Sequence, residues 1–163
     1  MKIKALIFCS MFLIAGCTST VSVNSPNNTN NSQPINNGWK KFEVSNTTSK
    51  FSFYLPSDFA EVAVQGEDSL VKQYKNANSN INLDFGGYSD PLDSYKSMAE
   101  YQEINTTISG KIAKIISYKN NDEYISAVNF PEITNGLKLT ISINSSDKNI
   151  KDTAKKIFES ISF

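Results

Sequence analysis

Histidine and arginine are absent from this chain of 163 residues, and its two cysteines, Cys9 and Cys17, both fall within the first seventeen. Each absence removes a class of chemistry. Without an imidazole there is no Ser-His or Cys-His nucleophile and no His-bound metal. Beyond Cys17 there is no thiol for an internal disulfide or a zinc-thiolate site. All sixteen basic residues are lysines, interspersed with sixteen acids. With no clustered positive charge and no planar guanidinium to read phosphates or base edges, nucleic acid is excluded as a partner.

What the chain does have begins at its amino terminus. "MKIK" is a short positive segment, followed by "ALIFCSMFLIAG", twelve apolar or small residues without a charge. A membrane-spanning helix needs about 20 such residues, whereas a secretory signal needs about 7–15. Leu13-Ile14-Ala15-Gly16-Cys17 closes the run and resembles the lipobox of bacterial lipoproteins. The resemblance implies cleavage between Gly16 and Cys17, with diacylglycerol joined to the Cys17 thiol and a further acyl chain, such as palmitate, on the new amino terminus. Two or more acyl chains hold a protein at a bilayer where one does not, each buried CH₂ contributing about 0.8 kcal/mol. Cys9 follows Leu6, Ile7 and Phe8, lacks small residues before it, and reads as part of the apolar run.

The same resemblance places the protein in the cell envelope. The location would be the outer membrane facing the periplasm in a Gram-negative cell, Thr18 in place of Asp resembling cargo released to that membrane, or the outer face of the cytoplasmic membrane in a Gram-positive one. Loss of Lys2 and Lys4 on cleavage leaves fourteen lysines against sixteen carboxylates, a side-chain charge of about −2.

Residues 18–38, "TSTVSVNSPNNTNNSQPINNG", carry no charge and are dominated by seven Asn, four Ser and three Thr. So little apolar surface does not offset chain entropy, and the segment reads as a disordered tether. Its root-mean-square reach would be roughly 25 Å, and about 70 Å at full extension. Three parts follow: a signal peptide over 1–16, the lipidated Cys17 and tether over 17–38, and a globular domain over 39–163.

Sixteen aromatic residues lie between Trp39 and Phe163, ample for one core. "KFEV" and "FSFYLP" alternate as strands, with Phe51, Phe53 and Leu55 on one face and Pro56 ending the second. "SDFAEV" reads as one helical turn. "DSLVKQYKN" and "INLDFGGYS" form a hairpin in which Leu70, Lys72 and Tyr74 share one face and Ile81, Leu83 and Phe85 another. Gly86-Gly87 ends that strand, as a bulge or a close backbone approach.

"DPLDSYKSMAEYQEI" carries a helix start signal, Asp90 as cap and Pro91 at the first helical position, with Leu92, Tyr95, Met98, Ala99 and Gln102 as the apolar stripe. The loop "NTTISG" leads to three further strands, "KIAKIISYK", "EYISAVNF" and "LKLTISI", separated by the turns "NND" and "PEITNG". A last helix, capped by Asp147, would bury Ile150, Ala154, Ile157, Phe158 and Ile161. The predicted class is α+β: an antiparallel β-sheet flanked by helices.

"FSFYLPSDF", "SGKIAKIISY" and "AKKIFESISF" together resemble the PsbP-like fold across 39–163. That resemblance implies an α/β sandwich. The fold serves photosystem accessory subunits, small-GTPase-binding transport factors and bacterial lipoproteins, so it transfers no activity.

Candidate chemistry is sparse. Glu67 with Asp68, and Asp90 with Asp93, are close carboxylates, but they lack the six to eight organised oxygens of a calcium site; they read as turn and cap residues, with no metal and no cofactor. Ser109 with Lys111, Ser94 with Lys96, and Ser117 with Lys119 are the Ser-Lys pairs the composition permits, without any oxyanion-hole signature. Gly86, Gly87, Tyr88 and Tyr95 are the candidate edge of a binding cleft, with Tyr101 nearby; the competing reading puts the tyrosines in the core. The leading expectation is a lipid-anchored envelope protein, not an enzyme, whose head binds a protein or glycan partner. An envelope immunity or inhibitor protein neutralising a toxin or hydrolase is the first alternative, and an enzyme using carboxylate or lysine chemistry the second.

Overall fold

Strict polar/apolar alternation in the middle of the chain dictates one large sheet. In the computed structural model, which describes residues 38–163, β1 (Trp39–Ser45) and β2 (Lys50–Pro56) form a hairpin. They are followed by β3 (Ala60–Val62), β4 (Leu70–Lys75), β5 (Ser79–Gly86), β6 (Ala99–Ile108), β7 (Lys111–Asn120), β8 (Glu123–Thr134) and β9 (Leu137–Ser145), and then by α1 (Ile150–Glu159). The hairpin is a two-stranded sheet of its own. The other strands make a seven-stranded sheet in the order β3-β4-β5-β9-β8-β7-β6, and every pairing is antiparallel.

The register explains the core. Ile81, Leu83 and Phe85 of β5 stand opposite Ile143, Ile141 and Leu139 of β9. Val128 and Phe130 of β8 flank Ile141 and Leu139 from the other side. All eight are essentially inaccessible to solvent. Over this face lie Val44, Phe51, Phe53 and Leu55 of the hairpin, together with Ile150, Ala154, Ile157 and Phe158 of α1. The apolar stripe expected for the last helix is buried in full, Ile161 included. Asp147 acts just ahead of that helix: its Oδ1 accepts the Asn149 amide at 2.9 Å and its carbonyl accepts the Ile150 amide at 3.1 Å. At the far end the Ser160 hydroxyl donates to the Ile157 carbonyl and accepts the Tyr54 amide, tying the helix to β2.

The helix-flanked α+β sandwich, the PsbP-like arrangement expected from the sequence, is overturned. The described residues are mostly antiparallel sheet, with α1 as one short helix. The helix expected to start at Asp90 does not form. Its carboxylate instead accepts the amide of Leu92 at 2.7 Å, and Leu92 is left-handed at φ 64°. That local bond diverts the backbone away from the right-handed region, and only a 3₁₀ turn, Asp93–Tyr95, follows. From Ala99 the chain runs as strand, irregular at Glu100 (φ 56°) and then in register from Gln102, because Ile104, Thr106, Thr107 and Ile108 find cross-strand partners on β7, where β-branched residues fit well.

The expected loop "NTTISG" is therefore mostly strand, closed by a two-residue turn with Ser109 at φ 49° and Gly110 at φ 77°, the geometry favoured between twisted antiparallel strands. Asn135 and Gly136 repeat that turn before β9, and β8 runs on through Pro131 where a turn was expected. "SDFAEV" contributes strand β3 rather than a helical turn, pairing Ala60 with Lys75. Leu70, Lys72 and Tyr74 stand directly across from Phe85, Leu83 and Ile81, so two sets expected on separate faces share one.

Phe158 is fully buried between α1 and the sheet. Phe158→Ala should destabilise the domain by about 3–5 kcal/mol in chemical denaturation, and a loss under about 1 kcal/mol would show that α1 is not part of the core.

Candidate functional site

The second face of the large sheet is only partly covered. Cross-strand rows on this side run Gln73–Asn82–Ser142–Ala127–Ile116 and Val71–Asp84–Thr140–Asn129–Lys114. Its β7–β8 end carries a small cluster of Ile116, Tyr118, Ile125 and Ala127, closed by Leu92, Tyr95, Met98 and Tyr101 from the segment that precedes and enters β6. The β4–β5–β9 part is polar and open. Between the two lies a cleft of about 430 Å³.

A buried polar clamp builds the cleft's wall. Asn129 and Thr140, each more than nine-tenths buried, sit side by side on β8 and β9. The Asn129 amide donates to the Asp90 carbonyl and to the Thr140 hydroxyl, and that hydroxyl donates to the same carbonyl, all at 2.9 Å. The Asp90 side chain is spent locally, accepting the Leu92 amide and, at 2.9 Å, the Tyr95 hydroxyl. Tyr95 stacks on Tyr118, ring centroids 4.9 Å apart and planes 14° off parallel. Burial pushes Tyr118 up to about 12, with Tyr95 and Asp90 adding to it. Tyr95 is raised first by burial and then by its bond to Asp90. Both phenols stay protonated across the physiological range.

The floor is less committed. Asn82, Asp84, Ser142 and Asn144 line the cleft. Asn82 Oδ1 accepts from Gln73 and Asn80, and its amide nitrogen has no hydrogen-bond partner among the described residues. The Oδ1 atom of Asp84 is enclosed without a hydrogen-bond partner among the described residues. Among the described residues, Asp84, Asp90 and Glu123 are the carboxylates in the lining, and no lysine is part of it. The cleft is thus negative, with a mixed donor and acceptor floor and apolar sides from Val71, Leu92 and Ile125. A second depression, of about 480 Å³, lies by the β6–β7 turn and Pro131–Ile133 of β8; its lysine, Lys111, is taken up by the Ile133 carbonyl at 2.7 Å.

Of the cleft residues proposed from sequence, Tyr95 lies in the wall. Gly86 and Gly87 do not line it, and Tyr88 is 86 % exposed. Gly86 serves a close backbone approach, since a Cβ there would meet Ser69 Cβ at 2.6 Å. Tyr101 bonds to Glu103 at 2.6 Å. Asp90 helps shape the cleft, while Asp93 forms ion pairs with Lys96 and Lys114, each at 2.9 Å. Glu67 and Asp68 lie outside the lining.

Among the described residues no three carboxylates gather in a metal-holding group. The lysines of the Ser-Lys pairs are engaged elsewhere: Lys111 with Ile133, Lys96 with Asp93, and Lys119 over the Tyr124 ring. Gly16 and Cys17 lie outside the described residues.

Sequence reasoning missed Asn82, Asp84, Ser142, Asn144 and Tyr118. A signal existed. The outward positions of β5 and β9 in the middle of the sheet are Asn80, Asn82, Asp84, Thr140, Ser142 and Asn144, with Lys138 at the start of β9, a run of mostly short polar side chains rather than the lysines and glutamates of an ordinary solvated face.

No protein-family model and no curated protein matches the chain. Among solved structures it is similar to LpqN of Mycobacterium tuberculosis, described as involved in cell envelope biogenesis. The two share 16 % identity and a TM-score of 0.48, over 77 % of this chain and 91 % of that one. Among the described residues no helix is long and apolar enough to cross a membrane.

The clamp predicts a local effect. Asn129→Ala should cost about 1–3 kcal/mol and speed amide exchange over residues 90–98 more than in α1; equal acceleration in both would refute a clamp dedicated to this segment. Lys96 and Lys114 hold the Asp93 carboxyl below the usual carboxylate range. Its stabilising contribution is present above the unfolded-state pKa, near 4, and is lost as pH falls through the lower folded value. NMR titration should show this depression, reduced in Lys114→Ala.

Proposed function

We propose that this protein is anchored to a bacterial envelope membrane by lipid on Cys17, and that its head binds a ligand without transforming it. The anchor rests on the lipobox-like run ending at Cys17 and on the uncharged segment behind it. A head joined to the anchor through about 20 uncharged residues can reach beyond the lipid headgroups.

One observation carries the binding role: a concave, uncovered part of the second sheet face, floored by the polar side chains of Asn82, Asp84, Ser142 and Asn144. A binding cleft of about 300–1,000 Å³ with a few convergent polar groups is the usual form of a ligand site. The inventory supports binding without catalysis. The lysines of the Ser-Lys pairs are tied to other groups. Acid–base catalysis needs a group poised near neutral pH within reach of the reacting atom, and the cleft's tyrosines are pushed away from it.

Two measurements test the two halves. The wild-type chain should incorporate labelled palmitate and sediment with membranes, whereas Cys17→Ser should do neither; a membrane-bound, unmodified Cys17→Ser chain would remove the anchor. Ser142→Trp, which fills the cleft from its floor, should behave like the gene deletion in envelope-stress assays while keeping its fold and membrane attachment. Full complementation by that variant would remove the cleft as the working site.

A further inference from the structure

We infer that the cleft between β5, β9 and the 90–95 segment takes an uncharged, hydroxyl-rich sugar, as part of a glycan. This deepens the proposed function and rests on the cleft being its binding site. The argument is one of matching. The floor offers acceptors and donors together: the Asp84 carboxylate, the Asn82 amide nitrogen, unpartnered among the described residues, the Ser142 hydroxyl and the Asn144 amide. A sugar hydroxyl gives and receives a hydrogen bond at once, so it satisfies a neighbouring carboxylate and amide in sequence.

An ammonium group only donates. It would pair with Asp84 but leave the Asn82 nitrogen and the donating half of Asn144 unmatched, at a cost for each polar group enclosed without a partner. An anionic ligand meets Asp84, Asp90 and Glu123 with no lysine in the lining, and like charges at such range repel. A purely apolar ligand would strip water from the same floor without replacing its bonds. The sides suit a sugar's C–H faces, since Val71, Leu92 and Ile125 flank the polar floor. Tyr95 is fixed rather than mobile, held by the Tyr118 ring and by Asp90, so little side-chain entropy remains to be lost on binding.

The test is NMR on the detergent-solubilised full-length chain, following the side-chain amides of Asn82 and Asn144 and the backbone of β5 and β9. The probes are chitotetraose, maltotetraose and cellotetraose at up to about 10 mM, enough to reveal millimolar affinity. A heparin tetrasaccharide and spermine serve as charged comparisons. At least one neutral tetrasaccharide should shift the Asn82 and Asn144 signals. Asp84→Asn should weaken its binding about tenfold, the loss expected for one charge-assisted hydrogen bond, and Asn144→Ala should weaken it by a similar factor. Glu159→Gln, on the helix of the opposite face, should change nothing.

Shifts at the cleft from spermine or the heparin fragment, with none from the neutral sugars, would overturn the sugar assignment while leaving the cleft as a binding site. Sugar binding that both cleft variants leave intact would overturn the placement. Silence from all five probes would overturn the sugar assignment, and full complementation by Ser142→Trp would separately overturn the site.

Discussion

The pairing of β5 with β9 and of β9 with β8 is the constraint on which the rest of the molecule depends. Their register sets Leu83, Ile141 and Val128 in one row and Phe85, Leu139 and Phe130 in the next, and these rows form the middle of the core under the hairpin and α1. A slip of one residue in β9 would turn Leu139, Ile141 and Ile143 outward and bring Thr140, Ser142 and Asn144 into the core. Burying those polar groups unpaired would cost several kcal/mol. The same register that builds the apolar face therefore lays down the polar floor on its reverse. Core and cleft are two sides of one pattern.

Covering that reverse face only halfway is what makes a cleft rather than a second core or a flat surface. The segment after β5 crosses back over β8 and β9, and its path is set by one carbonyl. Asp90 O receives bonds from both Asn129 and Thr140. These are polar residues in strand interiors, where their burial would be expensive without such partners. Leu92, Tyr95 and Met98 then cap Ile116, Tyr118 and Ile125. The coverage stops at that cluster because the cleft-lining positions beyond it on β5 and β9, Asn82, Asp84, Ser142 and Asn144, are short polar groups, which offer an apolar segment nothing to bury against.

The electrostatics of the two faces differ in a way that bears on partners. Lysines lie outside the cleft lining and are largely engaged, with Lys114 and Lys96 on Asp93 and Lys111 on a backbone carbonyl. Exposed ion pairs of this kind contribute little to stability, but they hold positive charge away from the cleft. What remains there is a carboxylate-edged concavity with few internal commitments.

Period-two alternation in β2, β5 and β9, and the i, i+4, i+7 spacing in α1, could be read directly because each pattern needs only its own residues to show which side is apolar. The absence of histidine and arginine likewise constrained the chemistry without reference to any fold. The Asp90–Gln102 segment was misread as a helix for the opposite reason. Its cap-like Asp90 and Pro91 are equally good turn residues, and the choice was made by distant groups: Asn129 and Thr140 holding the Asp90 carbonyl, and β7 supplying a partner for β6. The cleft was hidden in the same way. Asn82, Asp84, Ser142 and Asn144 lie some sixty residues apart in the chain, and only the β5–β9 register, a long-range pairing, makes them neighbours. Local periodicity determined which residues face inward; the order of the strands and the return of one loop decided where the molecule stays open.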